Sequence, residues 1–142
     1  MVLGLAGLLP LAGAIGLQVA HRNSGIVGPS LFMIVMSALG YAALILSFLG
    51  GMWWSAACNR LHGAILWRWL GVAVLPSLWA AASFFAGLPR GTAFALAGGL
   101  LLSLVADRAA MSTGLVPRWW MWLRVPLSCG LAAEVLAVGW LA

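Results

Sequence analysis

Long apolar runs separated by short polar gaps cover the whole chain. Five runs stand out, at about residues 2–20, 29–54 (with room to extend to Cys58), 65–86, 91–106 and 122–141. A spanning helix needs roughly 20 apolar residues, within a range of about 17–25. The fourth run is short by that measure, so its helix is expected to continue past Arg108 or to be shielded by its neighbours. The gaps at 21–28, 59–64, 87–90 and 107–121 are too short to hold a domain. The pattern predicts one all-α membrane domain over residues 1–142, a bundle of about five transmembrane helices with no soluble part.

Proline placement fits this drawing. Pro29 suits a first helical turn, Pro89 closes the gap before the fourth run, and Pro117 and Pro126 bracket the start of the fifth. Pro10 and Pro76 fall inside runs. There the missing N–H frees the carbonyls of Ala6 and Val72, and a kink is expected in each helix.

Composition removes the soluble alternatives. The chain is 65% hydrophobic and 6% charged, whereas a soluble domain is about 25% charged. The first run lacks a basic n-region and is as long as a span, so it reads as a helix rather than a cleaved signal. The net charge of +5 rests on arginines alone, scattered singly near span ends. That is the pattern of topology signals and headgroup contacts, not of nucleic-acid binding. With five spans, Arg60, Arg68, Arg108, Arg118 and Arg124 fall on one side, and Arg22 and Arg90 on the other. The bias predicts a cytoplasmic N terminus and a non-cytoplasmic C terminus. Trp53, Trp54, Trp67, Trp69, Trp119, Trp120 and Trp122 fall on the arginine-rich side and Trp140 on the other, an interfacial belt weighted to one face. A cofactor-stacking role for the same cluster is the alternative.

Small residues mark the expected packing faces. Gly91, Ala95, Gly99 and Ser103 recur every four residues, and Gly40, Ala43, Ser47 and Gly50 form a similar stripe. Such rows let backbones approach closely in lipid, within one chain or between copies.

Several stretches carry a family resemblance. One is Gly40-Tyr41-Ala42-Ala43-Leu44-Ile45-Leu46-Ser47-Phe48-Leu49-Gly50-Gly51-Met52-Trp53. The others are Leu104-Val105-Ala106-Asp107-Arg108, Leu115-Val116-Pro117-Arg118-Trp119, and Leu123-Arg124-Val125-Pro126-Leu127-Ser128. In this order they resemble the DUF3429 family, small integral membrane proteins that include the transmembrane protein 69 group. The chain departs from the family pattern after Gly51. Met52, Trp53, Trp54 and Ser55 stand where a basic residue often precedes the tryptophan and a glycine follows it. The resemblance implies a multi-pass protein of bacterial inner membranes or mitochondria and supplies no activity.

Candidate chemistry is sparse. Glu134 is the one charged residue in the middle of a run. An ionised carboxylate at mid-bilayer costs roughly 2.5–3.5 kcal/mol on insertion scales, so such a group is usually neutral, paired or functional. By depth, Tyr41, Ser77 and the Val72 carbonyl are its expected neighbours. The two readings are a proton or cation site and a neutral carboxyl bonded across helices. Asp107, followed by Arg108, is expected to form an interfacial ion pair with Arg60, Arg68 or Arg124; headgroup or partner binding is the alternative. His21 and His62 lie on opposite expected faces and cannot share a metal, which leaves single-histidine haem ligation as a remote option. Cys58 and Cys129 form no metal or redox motif, the serines show no nucleophile context, and no metal or cofactor is expected. The leading expectation is a non-catalytic accessory, structural or assembly subunit of a respiratory or photosynthetic membrane complex, in contact with lipids and other membrane subunits. The alternative is a small transporter or ligand-binding protein centred on Glu134 and the two proline kinks.

Overall fold

The computed structural model describes residues 6–24, 30–86 and 88–142, and every regular element among them is helical. Five α-helices follow one another: α1 (Leu9–Ser24), α2 (Leu31–Arg60), α3 (Gly63–Ser83), α4 (Pro89–Ser112) and α5 (Trp120–Leu141). A 3-10 turn, Ala6–Leu8, leads into α1, and another, Phe84–Ala86, follows α3. Helices α2 to α5 are each long and apolar enough to cross a membrane. The chain is a multi-pass, all-helical membrane protein.

The element boundaries have local causes. The Ser30 hydroxyl accepts a hydrogen bond from the Met33 N–H at 3.3 Å and caps the start of α2; Pro29, placed there from the sequence, lies outside the described residues. Helix α2 runs through to Arg60, about 45 Å at 1.5 Å per residue. Gly63, with φ +62°, begins α3 after two linking residues, a backbone state that glycine adopts without steric cost. Pro89 opens α4 rather than merely closing the preceding gap, since the first turn needs no N–H from it.

Three expectations are corrected. The first helix spans Leu9–Ser24 and has 16 residues, where a span over 2–20 was expected; residues 2–5 lie outside the described part. Pro10 is therefore the second residue of α1, not a mid-helix kink. Pro126 lies inside α5, and its missing N–H removes the bond to the Trp122 carbonyl near the helix start. Pro76 does sit within α3, and it is buried.

Helix α2 is the hub. It packs against all four other helices, while α1, α5, α4 and α3 follow one another around it. Side-chain contacts give the directions. Leu8 lies against Gly130, the Gln18 amide reaches the Val138 carbonyl, and Arg22 bonds the Leu141 carbonyl, so α1 and α5 run parallel. Leu46 lies against Gly99 and Trp53 against Asp107, so α2 and α4 run parallel. The main core contains Leu11, Leu39, Leu46, Leu96, Leu100, Leu131 and Val135. A second cluster, Ala57, Trp69, Leu70, Ala110 and Leu115, closes the end carrying the 113–119 connection. Lipid tails are as apolar as leucine, so close packing and polar ties hold these helices together. At Gly50 a Cβ would run into the Ala73 carbonyl oxygen, which shows how tightly α2 meets α3 just before Pro76.

Candidate functional site

Polar side chains converge where α2, α4 and α5 meet. Asp107 on α4 is 0% exposed and Arg124 on α5 is 2% exposed. The Arg124 Nε donates to Asp107 Oδ2 at 2.7 Å. Asp107 Oδ1 accepts from two indoles, Trp53 Nε1 at 2.8 Å and Trp120 Nε1 at 3.0 Å. An Arg124 Nη2 donates to Ser103 Oγ at 2.9 Å, and that hydroxyl donates to the Leu100 carbonyl at 2.6 Å. Each part has a sequence origin. Ser103 and Asp107 are four apart on α4, and Trp120 and Arg124 four apart on α5, so each pair stacks on one helix face. Trp53 comes from the interior of α2. Both carboxylate oxygens are occupied, and the charge is neutralised inside the bundle. The site is built as a clamp across three helices, with three donors converging on one buried carboxylate.

Of the arginines considered for Asp107, Arg124 is its partner. Arg60 instead donates to the Gly114 carbonyl at 3.1 Å, where Gly114 takes φ +73° to turn the chain after α4. Arg108 is exposed and makes no ion pair among the described residues, so the ion pair is Asp107 with Arg124 and excludes Arg108.

The tryptophan belt is also revised. Trp54, Trp67, Trp119 and Trp122 are exposed. Trp53 is 3% exposed and Trp69 is buried in the second cluster, so neither faces lipid. Trp120 is half-buried and edge-on to Trp119, with ring centroids 6.1 Å apart. Trp53 and Trp120 are thus donors to a buried carboxylate, a role not foreseen from the sequence. The signal available was the four-residue spacing of Trp120 and Arg124.

The expected grouping of Glu134, Tyr41 and Ser77 does not form. Tyr41 Oη donates to the Gly7 carbonyl at 2.9 Å. Ser77 is exposed on α3, which has no substantial packing against α5. Tyr41 and Ser77 instead share an open groove of about 600 Å³ between α2 and α3, bordered by Gly40 and Ser47. Gly40 has open space where a side chain would lie, so that part of the α2 stripe borders a groove rather than a tight contact. Glu134 lies between Gly130 and Val138 on the α5 row that meets α1. Its Oε2 is buried without a hydrogen-bond partner, as are Gln18 Oε1 and Ser128 Oγ. Gln18 is fully buried, and its amide donates to the Val138 carbonyl at 3.4 Å. It was missed from the sequence, although it is the sole glutamine of the chain and sits in an apolar run.

The α4 stripe forms a packing face. Trp79 Nε1 donates to the Ala95 carbonyl at 2.7 Å, and its indole lies across Gly99, where a Cβ would come within 2.7 Å of the ring. Ser103 continues this face to the clamp, and Gly91 is half-buried at its other end. Beyond Trp79, helices α3 and α4 part and leave a groove of about 540 Å³. Its walls carry Val72, Leu75, Leu78, Leu102 and Ala106, and Leu46 and Trp53 form its floor. His21 is half-buried and His62 exposed, and the described residues hold no group of three metal-binding side chains.

No curated protein and no solved structure matched the chain. One family model does match, over residues 1–140 and so over nearly the whole bundle. By that match the chain belongs to the DUF3429 family, described as a protein of unknown function.

Proposed function

We propose that the chain is a small non-catalytic accessory subunit, a structural or assembly component of a larger membrane complex of the respiratory or photosynthetic kind. The proposed location is the bacterial inner (cytoplasmic) membrane, with the N terminus in the cytoplasm, following the arginine bias. The observation that carries this reading is the inward direction of the polar chemistry. The donors around Asp107 close on one another inside the bundle. Large apolar side chains such as Phe85, Trp122 and Trp140 face outward, at 90%, 82% and 76% exposure. A chain of this design offers neighbours an apolar surface and a rigid frame. The test is purification from native membranes in mild detergent, with identification of the bound proteins. Stable association with a larger complex is expected, and isolation as a lone monomer would overturn the reading.

A second reading is kept because of one atom, the unpartnered Glu134 Oε2 at the α1–α5 contact. Under it, Glu134 is a proton or cation site of a small transporter. Glu134→Gln would then abolish a flux in proteoliposomes while leaving assembly intact. As an accessory subunit the chain should show no flux to lose.

A further inference from the structure

We propose that the groove between α3 and α4 binds one acyl chain of an anionic phospholipid, whose phosphate is held by Arg68. At about 540 Å³ the groove falls within the roughly 300–1,000 Å³ typical of ligand sites. Its rims are open: Leu75, Leu78 and Leu102 are 58%, 59% and 58% exposed. These residues lie in the interior of spanning helices, so the medium at the opening is lipid and an occupant enters sideways from the bilayer.

One wall is set in advance. Trp79 is tied to the Ala95 carbonyl and pressed on Gly99, so little side-chain freedom remains to be lost when the groove fills. The headgroup assignment comes from charge. Arg68 lies four residues before Val72, on the α3 face that lines the groove, near the arginine-rich end. It is exposed, and it has no hydrogen-bond or ion-pair partner among the described residues. The chain has two acids in all. Asp107 is closed around Arg124, and Glu134 lies on α5 at the contact with α1. Among the described residues no acid of the chain is paired with Arg68, which leaves its guanidinium open to an anion from outside the chain. At the end of a lipid-facing apolar slot, the anion in reach is a phospholipid headgroup.

The inference does not depend on the accessory-subunit reading, because a chain that runs alone would still hold the lipid. The experiment places the purified full chain in nanodiscs containing phosphatidylglycerol or phosphatidylcholine with a diazirine on the acyl chain. Labelled residues are then mapped by mass spectrometry. Labelling concentrated at Leu75 and Leu102 over the lipid-facing Phe48 and Val105 is expected, stronger with phosphatidylglycerol. Arg68→Gln, an exposed change, should reduce the phosphatidylglycerol advantage about fivefold, the effect of one interfacial arginine. Ala82→Phe and Ala106→Phe, at two points of the groove, should each remove groove labelling and leave labelling elsewhere intact. Uniform labelling around the bundle would overturn the site. Equal labelling by the two lipids would overturn the headgroup assignment. Crosslinks from groove residues to another protein chain would show a helix interface there instead.

Discussion

The two acids of the chain occupy opposite kinds of environment. Asp107 sits where three helices meet, with an arginine and two indoles on its oxygens. Glu134 lies where α1 and α5 meet, with one buried oxygen unpartnered. Both belong to helices apolar enough to span a membrane. The difference shows that a carboxylate in such a bundle is judged by its donors, not by its depth. Asp107 ties helices together through three donors, while Glu134 carries a buried oxygen that no donor among the described residues meets.

That contrast can be broken by substitution, with the largest effect at the clamp. Arg124→Met leaves the Asp107 carboxylate buried without its cation and should cost about 3–5 kcal/mol, measured by reversible denaturation in mixed micelles. A loss below about 1 kcal/mol would mean that the pair is peripheral. Gly50→Ala should come next, at about 1–3 kcal/mol, because its methyl meets a backbone oxygen that has no rotamer to retreat into. Trp53→Phe keeps a ring at the same position and removes one donor to Asp107. It should cost about 1–2 kcal/mol, with tryptophan emission shifting as a buried indole is lost. Glu134→Gln should change stability least, by about 0.6 kcal/mol or less, since no bond is lost at Oε2. A larger drop there would make Glu134 a second clamp and remove the contrast.

Much of the fold was legible in the apolar runs, because each helix had to be apolar over its length whichever way it faced. What was lost was azimuth. A tryptophan near the end of a run reads the same whether it faces headgroups or a neighbouring helix. Trp53 faces inward because its azimuth on α2 points at Asp107 of α4, whereas the adjacent Trp54 is exposed. The fourth run looked short because Asp107 and Arg108 resembled a span end. Helix α4 continues to Ser112, with Asp107 paired to Arg124 and hydrogen-bonded by two indoles inside the bundle. Pro10 looked like a kink because the true start of α1, at Leu9, has no polar signal in the sequence. The site divided in the same way. Asp107 and Arg124 were recognisable as candidates, since charges in so apolar a chain need partners. Glu134, Tyr41 and Ser77 were grouped by depth alone, and depth cannot show that Ser77 lies on a helix with no substantial contact to α5.

The most direct test is a double-mutant cycle on the clamp, using Asp107→Leu, Arg124→Met and the two together in the full chain. Each single change leaves one buried charge alone, whereas the pair leaves an apolar contact in a bundle that is already apolar. The expected result is two severe single losses and a double variant that regains most of the stability, with a coupling of at least about 2 kcal/mol. Single losses that are mild and simply add would contradict the claim that Asp107 and Arg124 hold α4 and α5 together.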